Sequence, residues 1–228
     1  MTSIRSRAAF VVGVLVFLLA AAPLVAFAAS GDLDASFDGD GKVTTAFGAV
    51  GTVNYSEASS ARAVAIQSNG MIVAAGACHA QAGDPVVVSI PYDFCLARYN
   101  ADGSLDATGF GTGGKVTTSI GTFDVAHAMA IESDGQIVVA GLCTIGSTND
   151  FCLARYNTNG SLDTGFDTDG KVTTPIGTAG DNARAVVGQT NGKLVVAGHC
   201  NNPGTDDFCL ARYTSAGALD TTFGSAGT

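Results

Sequence analysis

Asp93-Phe94-Cys95-Leu96-Ala97-Arg98-Tyr99 recurs unchanged at 150–156 and at 207–213. Working outward, Gly41-Lys42-Val43-Thr44-Thr45 returns at 114–118 and 170–174. Gly-Ser-Leu-Asp stands at 103–106 and 160–163, with Gly-Ala-Leu-Asp at 217–220. Cys95, Cys152 and Cys209 are spaced by a constant 57 residues. Self-similarity at such a period is the mark of a repeat architecture, in which each copy is one supersecondary unit that buries its faces against its neighbours.

Each copy reads as four short β-strands. The first is Lys-Val-Thr-Thr. The second runs from Ala61 to Ile66, with counterparts from His127 to Ile131 and from Arg184 to Val187. Ser68-Asn69-Gly70, Ser133-Asp134-Gly135 and Thr190-Asn191-Gly192 follow as tight turns. An Asn-Gly or Asp-Gly pair between apolar runs signals a hairpin, with positive φ expected at both turn residues. The third strand runs from Met71 to Gly76 and recurs at 136–141 and 193–198. The fourth is Phe-Cys-Leu-Ala-Arg-Tyr. Polar and apolar residues do not alternate cleanly, so both faces of each sheet are expected to be covered. Alanine, a poor strand former, is frequent, which points to sheets packed closely face to face. A repeated four-stranded meander covered on both faces is a propeller blade. The expected fold is all-β: an array of about three blades at 41–106, 114–163 and 170–220, too few to close a ring of the usual four or more.

The ordered blocks Leu-Asp-x-x-Phe, Gly-Lys-Val, the Asn/Asp-Gly turn, Val-Val-Ala-Gly and Phe-x-Leu-Ala-Arg-Tyr resemble the delta-60 repeat. The resemblance spans residues 31–228. It implies a β-propeller in an exported bacterial protein of unknown biochemical role, and it implies no catalytic residues. The paired cysteines are an addition to that pattern.

Six cysteines are ordinary in an exported chain and unusual in a reducing compartment. Each copy carries one Gly-x-Cys at the end of its third strand and one Asp-Phe-Cys at the start of its fourth. Those ends lie side by side in an antiparallel hairpin, within reach of a disulfide. The expected pairs are Cys78–Cys95, Cys143–Cys152 and Cys200–Cys209.

Export is expected from the N-terminus. Arg5 and Arg7 precede an apolar run from Ala8 to Ala29 that contains Ala26-Phe27-Ala28, a small-x-small cleavage site. Residues 1–28 read as a signal peptide, with a secreted, surface or periplasmic product; an uncleaved membrane anchor is the alternative. Losing Arg5 and Arg7 moves the formal charge from -9 to -11. An acidic chain without tryptophan is a poor partner for nucleic acid or anionic lipid.

The copies differ in length at two places. Gly41 to Arg62 covers 21 steps, against 13 and 14 in the other copies, and Cys78 to Cys95 covers 17 against 9. Both insertions fall in loops expected at one end of a meander, and repeat proteins often carry insertions on their binding face. Asn54, Tyr55, Glu57, His79, Asp84, Tyr92 and Asp93 are the candidate binding residues of 49–60 and 79–93. Asp38, Asp40, Asp167 and Asp169 form Asp-x-Asp-Gly turns that could begin a calcium loop. The second copy has no acid there, and a backbone-turn role is the competing reading. No other cofactor is expected. Asp34, Asp106, Asp163 and Asp220 recur with Arg98, Arg155 and Arg212, as a structural pair would. His127 takes the place of Arg62 and Arg184 and reads as a strand residue. No catalytic set stands out. The expected role is a non-enzymatic binding or interaction module, its partner a surface protein or glycan, with self-assembly or further blades completing the ring. An enzyme with its site in the central channel or on the insert-bearing face of a larger propeller is the alternative.

Overall fold

The computed structural model describes residues 31–47, 59–79, 91–202 and 205–228. The expected signal peptide lies outside them, as do Asn54, Tyr55, Glu57 and Asp84. The described residues are all-β. Eleven strands follow one another: β1 (Ser60–Ile66), β2 (Ile72–His79), β3 (Tyr92–Tyr99), β4 (Lys115–Thr118), β5 (Asp124–Ile131), β6 (Ile137–Ile145), β7 (Thr148–Tyr156), β8 (Lys171–Thr174), β9 (Asp181–Gly188), β10 (Leu194–Asn202) and β11 (Thr205–Tyr213). They form three antiparallel meanders, β1-β2-β3-β4, β5-β6-β7-β8 and β9-β10-β11, in an open array. This is an incomplete β-propeller.

The sheets are offset from the sequence copies by one strand. Lys115–Thr118 was expected to open the second copy's blade, but it pairs with β3, Ala97 opposite Lys115 and Phe94 opposite Thr118. Lys171–Thr174 closes the second sheet in the same register. The blades therefore run from β1 to β4, β5 to β8 and β9 to β11, not over 41–106, 114–163 and 170–220. The connection explains why. Arg98 N donates to Gly114 O and Asp106 N to Arg98 O, so the Leu-Asp-x-x-Phe loop folds back along β3 and delivers the next strand to its free edge.

The turns also differ from expectation. Gly70 N donates to Gln67 O, and Gln67 N to Met71 O. Only Gly70 is left-handed, at φ 84°; Asn69 keeps a negative φ and accepts a hydrogen bond from Met71 N at 3.1 Å. The loop is longer than a two-residue hairpin, so a single glycine absorbs the positive φ.

The middle sheet shows why alternation fails in the sequence. Ile137, Val139, Ala154 and Tyr156 enter the core shared with Val73, Phe94 and Leu96 of the first sheet. Val138, Ala140, Phe151 and Leu153 enter the core shared with Leu194, Val196 and Tyr213 of the third. Successive residues bury on opposite faces because both faces are covered. Two hydroxyl bonds tie neighbouring sheets, from Tyr156 Oη to Thr118 Oγ1 at 2.9 Å and from Tyr213 Oη to Thr174 Oγ1 at 2.8 Å. Burial pushes the Tyr213 phenol up to about 12 and the Tyr156 phenol higher still. Tyr99 makes the same contact with Thr45 at 2.7 Å. Residues 42–45 therefore lie against the first sheet as the last strand of a preceding blade would.

Candidate functional site at the insert-bearing end

The register places the described flanks of both insertions at one end of the first sheet. Ser60 pairs with Ala77 and His79 with Tyr92, so the described flanks of the two long loops leave side by side. Among the candidate binding residues, His79 and Tyr92 stack with ring centroids 4.0 Å apart, and Tyr92 meets Phe123 edge-on at 5.3 Å. Asp93 is buried beneath them; desolvation raises its pKa, and a hydrogen bond from Ser119 opposes the rise.

Three disulfides stand at this same end: Cys78–Cys95, Cys143–Cys152 and Cys200–Cys209, with Cα separations of 5.8, 5.7 and 5.8 Å. Each joins the two strands of a β2-β3-type hairpin, as the sequence pairing requires.

The first strands of the sheets, β1, β5 and β9, neighbour one another along the hub. Each carries a bulge at the same place, between Ala61 and Ala63, between Ala126 and Ala128, and opposite Ala197 and Gly198. The extra residues are Arg62, His127 and Arg184. The Gly of Gly-x-Cys permits this: a Cβ on Gly76, Gly141 or Gly198 would collide with the carbonyl oxygen of Ser60, Val125 or Asn182. A bulge re-aims one side chain out of the ladder.

The three bulged residues share one environment. Arg62 and Arg184 are exposed, and His127 is partly buried. Desolvation, then the charges of Arg184, Arg62 and His199, lower the His127 imidazole from 6.5 to about 4. With its amide oriented to satisfy both neighbours, Asn182 donates to His127 Nε2 at 3.2 Å and accepts from Arg184 Nη2 at 3.2 Å. Nε2 acting as acceptor fits a neutral ring with its proton on Nδ1. Two buried acids begin the hub strands. Asp124 accepts from Ile120 N and Gly121 N at 2.7 and 2.8 Å, and Asp181 from Ile176 N and Gly177 N at 2.7 and 3.0 Å. The sequence reads His127 as a strand residue in the place of Arg62 and Arg184, and that shared register was the signal that could have marked the hub set.

The recurrent Asp and Arg residues are structural. Arg98 pairs with Asp106 at 2.6 Å, Arg155 with Asp163 at 2.7 Å and Arg212 with Asp220 at 2.7 Å. Phe110, Phe166 and Phe223 cover the three guanidinium groups at 4.7, 4.5 and 4.7 Å. Arg98 also donates to Thr158 O, and Arg155 to Ser215 O at 2.7 Å, latching the first sheet to the turn after β7 and the second sheet to the turn after β11. Lys193, Thr222 and Arg212 together hold the Asp220 carboxyl well below the usual range.

The Asp-x-Asp-Gly turns fold back on themselves. Asp40 and Asp169 accept from Lys42 N and Lys171 N, each at 2.9 Å, and ion-pair with the same lysines at 3.4 Å. Asp38 and Asp167 are left-handed, with φ 49° and 45°. Among the described residues no three metal-ligating side chains cluster, and no helix is long and apolar enough to cross a membrane.

No curated protein matches the chain. Three successive stretches, 67–108, 132–166 and 189–223, match a family model described as a domain of unknown function (DUF5122) beta-propeller. Each begins at the hairpin turn and ends beyond the Leu-Asp connection, so the match follows the three sheets in order. The three copies are therefore similar, one by one and in order, to the repeats of a β-propeller family.

Proposed function

We propose that the chain is an exported, non-enzymatic binding or interaction module of the delta-60 type, engaging a surface protein or glycan with its insert-bearing end. The observation that carries this is the convergence at one end of the described flanks of both loop insertions, the Tyr92 ring cluster and the hub bulges. The paired cysteines agree with an oxidising compartment. The channel-enzyme alternative draws less support, because among the described residues the hub histidine sits beside cations and an amide, with no carboxylate hydrogen-bonded to it. The test compares the purified chain with a variant lacking 49–58 and 80–90 on glycan and surface-protein panels, alongside a substrate panel. Binding that disappears with the loops supports the reading. Unchanged binding, or robust turnover of any substrate, defeats it. Export is checked by sequencing the secreted product, with Ala29 expected at its N-terminus.

A second reading concerns ring completion by further blades or a second copy. Phe94 and Phe151 are wholly buried, but their counterpart Phe208 is 98% exposed. Among the described residues, no strand pairs with the edge of β11 that corresponds to the β3–β4 and β7–β8 pairings.

A further inference from the structure

Arg62, His127 and Arg184 come from three different sheets, yet each is the extra residue of a bulge at the same register position. We propose that they form an oxyanion-binding site at the hub, taking the carboxylate, sulfate or phosphate group of a small ligand. The inference rests on the reading of this end as the binding end and names the chemistry it would recognise.

Four observations carry it. The bulge is built into every sheet, and each copy keeps a glycine beneath it where a Cβ could not fit. The other described arginines, Arg98, Arg155 and Arg212, are each neutralised by an aspartate and covered by a phenylalanine ring. Arg62 and Arg184 have no carboxylate partner among the described residues. Of the acids at this end, Asp124 and Asp181 are buried and held by backbone N–H groups, and Asp206 and Asp207, which line the groove beside Arg184, accept from Asn201 at 2.8 Å and Asn202 at 3.2 Å and form no ion pair with it. Finally, Asn182 links His127 to Arg184, which orders two of the three groups before a ligand arrives.

Neighbouring cations repel one another, and here the repulsion already favours the neutral form of His127. An anion held between the two guanidinium groups would relieve it. Guanidinium suits the task because its planar donors meet two oxygens of an oxyanion at once. In a chain of net charge -9, two arginines with no carboxylate partner among the described residues are a local basic site that would draw anions inward.

The experiment is calorimetric titration of the purified chain with inorganic phosphate, sodium sulfate and glucuronate in separate arms. We expect saturable one-site binding, weakened about tenfold in R62Q/R184Q, which corresponds to about 1.4 kcal/mol. The control K42Q, at an exposed ion pair, should bind like the original. Glucuronate binding without phosphate binding would assign the site to carboxylates, and the converse to tetrahedral anions. In parallel, the His127 imidazole resonance followed against pH should titrate at higher pH when the anion is present. That readout needs no variant and so stands if R62Q/R184Q folds poorly. Among the described residues, the groups that act on His127 are Arg62, Arg184, His199 and Asn182, and none of these supplies a negative charge that could mimic the shift. Absence of saturable binding in all three arms, equal binding by the double variant, or an unmoved His127 titration would overturn the proposal. If the loop-deleted variant still binds anions, only the role given to the loops falls.

Discussion

Gly141 illustrates how one missing side chain shapes the hub. The Val125 carbonyl oxygen occupies the space its Cβ would need, and the collision is with backbone, which cannot swing aside. Gly141→Ala should therefore destabilise the fold by about 1–3 kcal/mol, the usual range for overpacking a tight site. Urea denaturation checks this; a loss within experimental error would mean that the bulge can relax. His127 makes a prediction about pH. Its folded pKa, about 4, lies below its ordinary 6.5. Between those values the unfolded chain binds a proton that the folded chain refuses. The associated stability is complete above 6.5 and is lost as pH falls toward 4. His127→Gln should consequently lose less stability than the original chain between pH 7.5 and pH 4.5. Parallel losses in the two proteins would show that His127 is not the group responsible.

At the scale of the element, the disulfided hairpin is the unit that copies two and three share most closely. Cys143–Cys152 and Cys200–Cys209 each close a short loop of sequence separation 9. Replacing both cysteines of either pair by serine should cost about 2–3 kcal/mol. Thermal melts would check this, and no loss would indicate that the hairpin is already held by its ladder and its turn. The outer strands show a different dependence. Lys115–Thr118 and Lys171–Thr174 are four-residue strands whose pairing partner lies in the preceding copy. Nothing within Gly-Lys-Val-Thr-Thr says which edge it will join. The connection that folds back along β3 and β7 decides it, and that connection is held by the Arg–Asp–Phe group. Strand existence was accordingly legible, whereas strand partnership was not.

For the whole molecule, the side of the third sheet that no described residue covers matters most. On the third sheet a groove of about 350 Å³ runs past Arg184, His199 and Phe208. Phe208 stands there in water, in a position that its copies bury completely. Covering one such side chain contributes about 1.5–3 kcal/mol. If copies associate through this face, light scattering should find the original chain as an assembly and Phe208→Asp as a single copy. A single copy in both cases would leave only further blades as the cover. The contrast with Phe151 sharpens the point: Phe151→Ala should cost about 3–5 kcal/mol because its site is already packed.

The sequence alone determined the repeat, the strands, the all-β class and the three cysteine pairs, because each depends on local periodicity or on the ends of a single hairpin. It also marked the Asp–Arg pairs as structural, since they recur with every copy. The tertiary structure decided what depends on residues far apart in the chain. It moved each Lys-Val-Thr-Thr strand into the preceding sheet, since a strand's partner is chosen by the edge that the connection presents. It exposed Phe208 where Phe94 and Phe151 are buried, since burial requires a neighbouring sheet. And it gathered Arg62, His127 and Arg184, separated by 65 and 57 positions, at one hub, since only the packing of three sheets makes a common register into a common place.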